Sequence, residues 1–488
     1  MLTVKNLGLF LGPVAFFLIR AFFQPEELSE SAVAILAATV WIAIWWITEA
    51  IPIAATALLP IVLFPLTDGL SLQSTSASFG HPYVFLYVGG FILAIAIEKW
   101  NLHKRIALHI INLIGTNLKY IILGFMLATA FMSMWISNTA TAVMMLPISL
   151  AIIKQYLDDP DTVVNENQVF GRAMMLAIAY SASIGGMATL IGTPPNLVLA
   201  GILKELYGIE ISFAQWMLFG LPISLTLLAI CWFYLVNIAF DLKKERFPGG
   251  KTEIKKQLQQ LGKITYEEKM VLTLFVLTAL SWISREYVLQ PLLPKLDDTI
   301  IAMFAGVMVF LLPSSKKGEK LLNWEEAVRL PWGIVLLFGS GMAIAEGFKM
   351  SGLANWIGNQ LTALDGMSIA IIVLIVIAGV NFLTEVTSNL ATASMLLPIL
   401  AQMSQAIDIH PYILMVAATL AASCAFMLPV ATPPNAVVFG SGYLRIPDMV
   451  KTGLWLNLIS IAVVALFAYF LLPLLWGFNM AAFPEELK

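Results

Sequence analysis

The sequence predicts an all-α polytopic membrane protein, with about eleven transmembrane helices plus two re-entrant helical hairpins arranged as an inverted-topology repeat. Three observations carry the prediction. Hydrophobic residues make up 59% of the 488 positions and charged residues only 12%, a balance that no water-soluble domain of this size sustains. Apolar runs long enough to cross roughly 30 Å of hydrocarbon recur along the whole chain. Two further apolar segments are interrupted by polar residues in the same order, which marks a repeat.

The runs fall at about 6–23, 32–48, 53–67, 83–98, 170–203, 213–239, 269–286, 298–313, 331–348, 411–440 and 452–473. The first carries Arg20, is followed by Glu26 and Glu27 and lacks the small-residue cleavage site of a secretory signal, so it reads as a span. The longest polar interval runs only from Asp241 to about Glu268, so no soluble domain is expected. The segments at about 118–157 and 367–405 are broken near their middles, and each reads as two half-length helices that enter and leave by one face.

Loop charge orients the chain. With the N-terminus inside, the basic residues Lys99, Lys104 and Arg105, those from Lys243 to Lys263, the pair Lys316 and Lys317, and Arg445 with Lys451 all become cytoplasmic. The loops Gln24–Glu30 and Thr67–Pro82 carry no Lys or Arg and fall outside, and the odd number of spans leaves the C-terminus outside. A net charge of −3 provides no basic field for nucleic acid. Cys231 and Cys424 lie far apart in apolar stretches, as small core hydrophobes do.

The repeat is legible residue by residue. Ser137-Asn138-Thr139-Ala140-Thr141-Ala142 matches Ser388-Asn389-Leu390-Ala391-Thr392-Ala393, and both run on to Leu-Pro-Ile. Each is followed by a second match, Gly192-Thr193-Pro194-Pro195-Asn196 and Ala431-Thr432-Pro433-Pro434-Asn435. Each of these is preceded by an Ala-Ser pair, Ala182-Ser183 and Ala422-Ser423. A weaker match joins Val88-Gly89 to Phe338-Gly339-Ser340-Gly341. Five spans separate the hairpins, so one opens to the cytoplasm and the other outside. Inverted halves with helices interrupted at the midplane are what alternating access to a single site requires.

Backbone leaves the helical pattern inside lipid only where protein or a wet cavity satisfies its polar groups. The polar breaks therefore predict a cavity. Thr193 and Thr432 suit an N-cap and the following prolines suit a first helical turn; Ser137, Asn138, Ser388 and Asn389 are N-cap types at the hairpin tips. Four half-helix N-termini then converge, and their dipoles favour an anion. The unwound carbonyls ahead of each break suit a cation such as sodium. Neither signature contains Arg, Lys, Asp or His, so neutral groups are expected to hold the anion while nearby cations offset its charge. Glu49, Glu98, Glu346 and Glu385 lie near span ends; snorkelling or structural bonding suits the first three, whereas Glu385 directly precedes the second signature. The histidines His81, His103, His109 and His410 sit at span ends or loops, and no paired Asp, Ser-His couple or metal-binding His-Glu helix appears in the spans. The protein is therefore not expected to be an enzyme.

At these residues the sequence resembles the divalent anion/sodium symporter family, the group that includes sodium-coupled dicarboxylate and citrate carriers. Trp46-Ile47-Thr48-Glu49-Ala50-Ile51-Pro52 is similar to its N-terminal stretch, and the paired Ser-Asn and Thr-Pro-Pro-Asn motifs to its signatures. The resemblance covers essentially the whole chain. It implies a homodimer in a bacterial inner (plasma) membrane, each protomer having a scaffold domain and a transport domain that slides like an elevator. On that pattern, residues 1–115 are scaffold helices, 116–212 the first hairpin and broken helix, 213–365 connecting and scaffold helices, 366–451 the second hairpin and broken helix, and 452–488 the last span and C-terminus. The resemblance also implies one sodium held by Ser133, Ser137, Asn138 and Gly192, and a second by Thr384, Thr387, Asn389 and Ala431. It implies substrate contacts from Asn138, Thr139, Thr193, Asn389, Thr432 and Pro433. Leu390 departs from the Ser-Asn-Thr of many bacterial members, which removes a hydroxyl and leaves the preferred anion open. The implied activity is sodium-coupled symport of a C4-dicarboxylate such as succinate, malate or fumarate. Sodium-independent exchange and carriage of citrate or another divalent anion are the alternatives.

Overall fold

The structure is a computed structural model that describes residues 4–114, 117–156, 166–240, 242, 248–361 and 367–487. The domain boundaries 115/116 and 365/366, position 157 at the end of the first hairpin and Lys243 lie outside the described residues.

Among the described residues the fold is all-helical. In chain order the helices are α1 Val4–Phe22, α2 Glu30–Thr48, α3 Ile53–Thr56, α4 Leu59–Leu66, α5 Leu72–Ser78, α6 Pro82–Lys99, α7 Leu102–Ile114, α8 Leu118–Ser133, α9 Asn138–Ile153, α10 Glu166–Gly186, α11 Pro194–Tyr207 and α12 Phe213–Tyr234. They continue as α13 Pro248–Leu261, α14 Tyr266–Ser284, α15 Asp298–Leu311, α16 Trp324–Ala327, α17 Trp332–Ser351, α18 Leu353–Leu361, α19 Ile369–Leu383, α20 Asn389–Ala406, α21 Pro411–Ala422, α22 Pro433–Phe439, α23 Ile446–Leu466 and α24 Leu472–Trp476. Eight helical stretches among the described residues are long and apolar enough to cross a membrane, and six apolar ones are shorter.

The short helices lie where the sequence breaks. The apolar run 53–67 folds as two pieces, α3 and α4, with Pro60 in the first turn of α4 and Pro65 inside it. Proline supplies no N–H and clashes with the preceding turn, so a continuous span is not available there. The predicted hairpins are the pairs α8/α9 and α19/α20, whose tips are Met134–Ser137 and Thr384–Ser388. The predicted broken helices are α10/α11 and α21/α22, separated by non-helical backbone at 187–193 and 423–432.

Packing follows the repeat. α8 and α9 both pack on α10, and α19 and α20 both pack on α21. The halves also interlock, because α22 lies against α9 and α10 while α11 lies against α20 and α21. Upstream of each hairpin stands a long helix followed by a shorter one, α6 with α7 and α17 with α18, which extends the Val88-Gly89 match. Downstream, the ends of α12 and α23 both widen into a π-helical turn, at Leu235–Ala239 and Phe467–Leu471. Each repeat thus runs long helix, short helix, hairpin, broken helix, closing span. Between the hairpins, among the described residues, lie four helical stretches long and apolar enough to cross a membrane, at α10, α12, α14 and α17, and the shorter apolar α15.

Candidate substrate and cation site

The two hairpin tips and the two breaks meet at one cavity of about 510 Å³. Its wall includes Ser137, Asn138, Thr139, Gly192 and Thr193 from the first half and Thr387, Ser388, Asn389, Ala431, Thr432 and Pro433 from the second. The rest of the lining includes Glu49, Ile53, Ala54, Tyr87, Pro331 and Gly333, from α3, α6 and the ends of α2 and α17. Ser133 and Thr384 are fully buried behind it. Every residue that the resemblance assigns to sodium or substrate therefore lies at this cavity or directly behind its lining. Among the described residues no Lys, Arg or His is part of the lining, and the carboxylate in it, Glu49, lies beside Lys5 at 3.4 Å.

Behind each tip the same oxygen cluster appears. In the first half, Ser133 Oγ donates to the Ala182 carbonyl at 2.7 Å and lies 2.5 Å from Asn138 Oδ1. In the second, Thr384 Oγ1 donates to the Ala422 carbonyl at 2.9 Å or to Asn389 Oδ1 at 2.7 Å. Serine answers threonine, asparagine answers asparagine, and the Ala-Ser pairs supply equivalent carbonyls. Turning the Asn138 amide brings its Nδ2 to the Gly192 and Ala182 carbonyls, both at 3.2 Å. With Oδ1 turned in, the hydroxyl, the amide oxygen and two carbonyls face one another, a set satisfied by a hard cation. The donor set therefore fits a sodium ion held by Ser133, Asn138, Ala182 and Gly192, with a matching set at Thr384, Asn389 and Ala422. The carbonyls of Ala182 and Ala422 were not legible as members of these clusters, since a main-chain oxygen has no side-chain signature; the only signal was the recurrence of the Ala-Ser pair ahead of each break.

Gly192 has a steric reason. A Cβ there would sit 2.5 Å from the Gly186 carbonyl and 3.0 Å from Thr189 Oγ1. Its counterpart Ala431 carries a methyl, so the second break has room that the first lacks.

The tripeptide hydroxyls do unequal work. Ser137 caps α9 by accepting the Ala140 N–H at 3.2 Å, and Thr432 caps α22 by accepting that of Asn435 at 3.3 Å. Ser388 and Thr193 occupy the equivalent N-cap positions without a side-chain capping bond. Thr387 bonds to the Leu383 carbonyl at 2.9 Å and to Thr392 Oγ1 at 2.6 Å. Its hydroxyl is thus engaged within the hairpin while the residue borders the cavity. Leu390 also borders it, where the first half has the Thr139 hydroxyl.

The last residue of each Thr-Pro-Pro-Asn motif is a strut. Asn196 Nδ2 donates to the Thr189 carbonyl at 2.8 Å and to that of Gly186 at 3.4 Å; Asn435 Nδ2 donates to the Leu428 carbonyl at 3.0 Å and to that of Ala425 at 3.3 Å. Both side chains are fully buried. They replace helical hydrogen bonds that the break has removed, as backbone inside a membrane requires. Glu385, set apart from the other carboxylates in the sequence, is 3% exposed and accepts the N–H groups of Phe426, Met427 and Leu428 at 2.8, 3.0 and 3.0 Å and the Asn457 amide at 2.7 Å.

An all-helical membrane fold with two matched hairpins, two matched broken helices and one shared polar cavity defines a secondary transporter. The chain belongs to the divalent anion/sodium symporter family: the sodium:sulfate symporter transmembrane region matches residues 3–477. It is 50% identical, over 99% of its length and 94% of the relative's, to the sodium-dependent dicarboxylate transporter SdcS of Staphylococcus saprophyticus. It is 49% identical, over 98% of its length and 93% of the relative's, to SdcS of Staphylococcus aureus strain MRSA252. Two solved structures share the fold. MtrF of Neisseria gonorrhoeae, described as illuminating a class of antimetabolite efflux pumps, has a TM-score of 0.61 at 14% identity, covering 93% of this chain and 98% of that one. The YdaH transporter of Alcanivorax borkumensis has a TM-score of 0.58 at 14% identity, covering 92% and 98%.

Proposed function

We propose that this protein is a secondary active transporter, and not an enzyme, that carries a C4-dicarboxylate such as succinate, malate or fumarate together with sodium. The observation that carries this reading is the pair of matched oxygen clusters behind the tips of a cavity whose lining, among the described residues, has no Lys, Arg or His. A doubly charged anion there has no fixed positive charge to meet. The N-termini of α9, α11 and α20 and the cations behind them are what offset it. A dicarboxylate has two like ends, and the cavity has two like walls: Asn138, Thr139 and Thr193 face one carboxylate, and Asn389, Thr432 and Pro433 the other. The names of the SdcS relatives agree in both sodium and dicarboxylate.

Coupling follows from electrostatics. Filling the oxygen clusters raises affinity for the anion, and the anion raises affinity for the cations, as reciprocal linkage demands. The hairpins and broken helices move as a transport domain past α2, α3 and α17, carrying the site between faces in an elevator motion. On this reading the protein is a homodimer within lipid in a bacterial inner membrane, with its N-terminus cytoplasmic and its C-terminus outside. Proteoliposomes are expected to take up labelled succinate only under an inward sodium gradient. Equal uptake in choline or potassium, or uptake that needs only internal dicarboxylate, overturns the sodium-coupled reading.

A further inference from the structure

We infer that the cavity between the start of α10, the π-helical end of α12 and the start of α23 binds the phosphodiester headgroup of an anionic membrane lipid, an inference that takes from the proposed function only the orientation of the chain.

The repeat brings equivalent parts together at two junctions. The closing spans α12 and α23 lie against each other and run in opposite directions. Each half therefore joins the start of its broken helix, the π-helical turn of its own closing span and the start of the other closing span. At the second-half junction the chain fills the space with its own rings. His410, Tyr412, Trp476 and Phe478 pack there with ring centroids 4.4 to 5.3 Å apart, and Trp476 Nε1 donates to the Gln215 carbonyl at 3.2 Å. At the first-half junction the described residues line a cavity of about 660 Å³ instead.

The lining of that cavity is cationic at the helix ends and apolar at the side. Arg172 of α10 and Lys451 of α23 supply two positive heads, and behind them the Tyr234 hydroxyl ties α12 to α23 by donating to the Thr452 carbonyl at 3.2 Å. The acid in the lining, Asp448, is engaged twice. It accepts the Arg445 N–H at 3.3 Å as the cap of α23, and a hydrogen bond from Arg172 Nη1 at 3.3 Å. Arg172 Nε is nevertheless buried with no hydrogen-bond partner, and the exposed Lys451 has no ion-pair partner among the described residues. A buried guanidinium N–H left unpaired is costly, and an oxyanion beside a second cation is the acceptor that suits it.

Ile238 and Trp455 complete the lining as exposed apolar side chains on α12 and α23. Tryptophan near a helix end suits the level of the headgroups, and apolar surface beside it suits an acyl chain. A soluble phosphate uses the two cations and gains nothing from this apolar side, whereas a lipid uses both. On the proposed orientation the junction lies in the cytoplasmic leaflet, which carries the anionic lipids that basic pockets between helices bind.

The test is a titration of the melting temperature of the purified full-length protein in detergent, with phosphatidylglycerol, phosphatidylcholine and inorganic phosphate as separate arms at constant ionic strength. Phosphatidylglycerol is expected to raise the melting temperature saturably, and the other two to leave it unchanged. Lys451→Gln and Arg172→Gln are each expected to raise the half-saturating phosphatidylglycerol about fivefold, the order that one basic residue near a headgroup contributes. Lys316→Gln, at an exposed lysine that pairs with Glu319 at 3.7 Å, is expected to leave it unchanged. Equal stabilisation by phosphatidylcholine overturns the inference, as does a phosphatidylglycerol curve that is the same in Lys451→Gln as in wild type. A saturable response to inorganic phosphate that Lys451→Gln weakens, with no further response to phosphatidylglycerol, assigns the site to a free anion and overturns the lipid. Should Arg172→Gln fail to fold, Lys451→Gln, whose side chain is exposed, decides. None of these outcomes bears on sodium-driven uptake, which the proteoliposome assay tests by itself.

Discussion

The unwound backbone after α10 and that after α21 share an asparagine strut and differ in almost everything else that holds them. In the first half, Gly186 and Gly192 approach so closely that no side chain fits between them, and a threonine, a tryptophan and a serine satisfy stray carbonyls. In the second, the stray N–H groups are gathered by Glu385, and Asn381 Nδ2 takes up the Cys424 carbonyl at 2.7 Å. One break combines close glycine packing with neutral side-chain hydrogen bonds, and the other is gathered around a carboxylate. The lesson is that the repeat keeps the hydroxyl, the amide and the carbonyl of each tip cluster, while it lets the scaffolding around them vary. Buried polar groups must be satisfied, but any donor or acceptor of the right geometry suffices. A cation cage is less permissive, because its oxygens must converge on one point.

The largest effect expected from this comparison comes from the shared part. Asn138→Ala and Asn389→Ala should each lower sodium-driven uptake by roughly 100-fold or more, about the loss of 3 kcal/mol of binding, while size-exclusion profiles stay those of wild type. Normal transport by both variants would falsify the site assignment. Next come the unequal glycine positions. Gly192→Ala forces a Cβ against the Gly186 carbonyl and should reduce uptake by at least tenfold. The reciprocal Ala431→Gly should stay within about threefold, since it only adds backbone freedom. Similar losses in both would show the two breaks to be equally tight.

Stability sharpens the comparison further. Asn196→Ala and Asn435→Ala each leave buried carbonyls unpaired and should cost about 1–3 kcal/mol apiece, read as a lower melting temperature in detergent. Smaller still is the effect of Leu390→Thr, which restores to the second wall the hydroxyl that Thr139 supplies to the first. It should change relative uptake of succinate, malate and citrate by a few-fold through one added hydrogen bond, and an unchanged selectivity profile would mean that this position does not reach the anion.

The smallest effect lies outside the cavity. Burial lowers the His410 pKa from its ordinary 6.5 to about 4, and its Nδ1 accepts the Tyr412 N–H at 3.3 Å. A folded-state value below the unfolded one means that the unfolded chain takes up the proton first. The contribution is therefore complete above about pH 6.5 and declines as the pH falls toward 4. His410→Asn should flatten the melting temperature over that window without altering uptake at neutral pH.

The sequence alone determined the class of fold, because hydrocarbon admits only backbone that satisfies itself, and long apolar runs with polar interruptions at matched places leave few arrangements open. It also determined which short motifs matter, since Ser137-Asn138 and Thr193-Pro194-Pro195-Asn196 recur in order at Ser388-Asn389 and Thr432-Pro433-Pro434-Asn435. Proline and N-cap chemistry placed helix starts just after Thr193 and Thr432 and at the Ser-Asn tips, where helices begin at Pro194, Pro433, Asn138 and Asn389, because those preferences are local. Only the tertiary structure decided how residues distant in the chain share one point: that Ala182 and Ala422 bring their carbonyls to Ser133 and Thr384, that Thr387 turns its hydroxyl into its own hairpin, and that Glu385 reaches across to Phe426–Leu428. A carbonyl looks the same at every residue, and a carboxylate shows its partners only once the chain has folded, so neither contact leaves a pattern in the order of the amino acids.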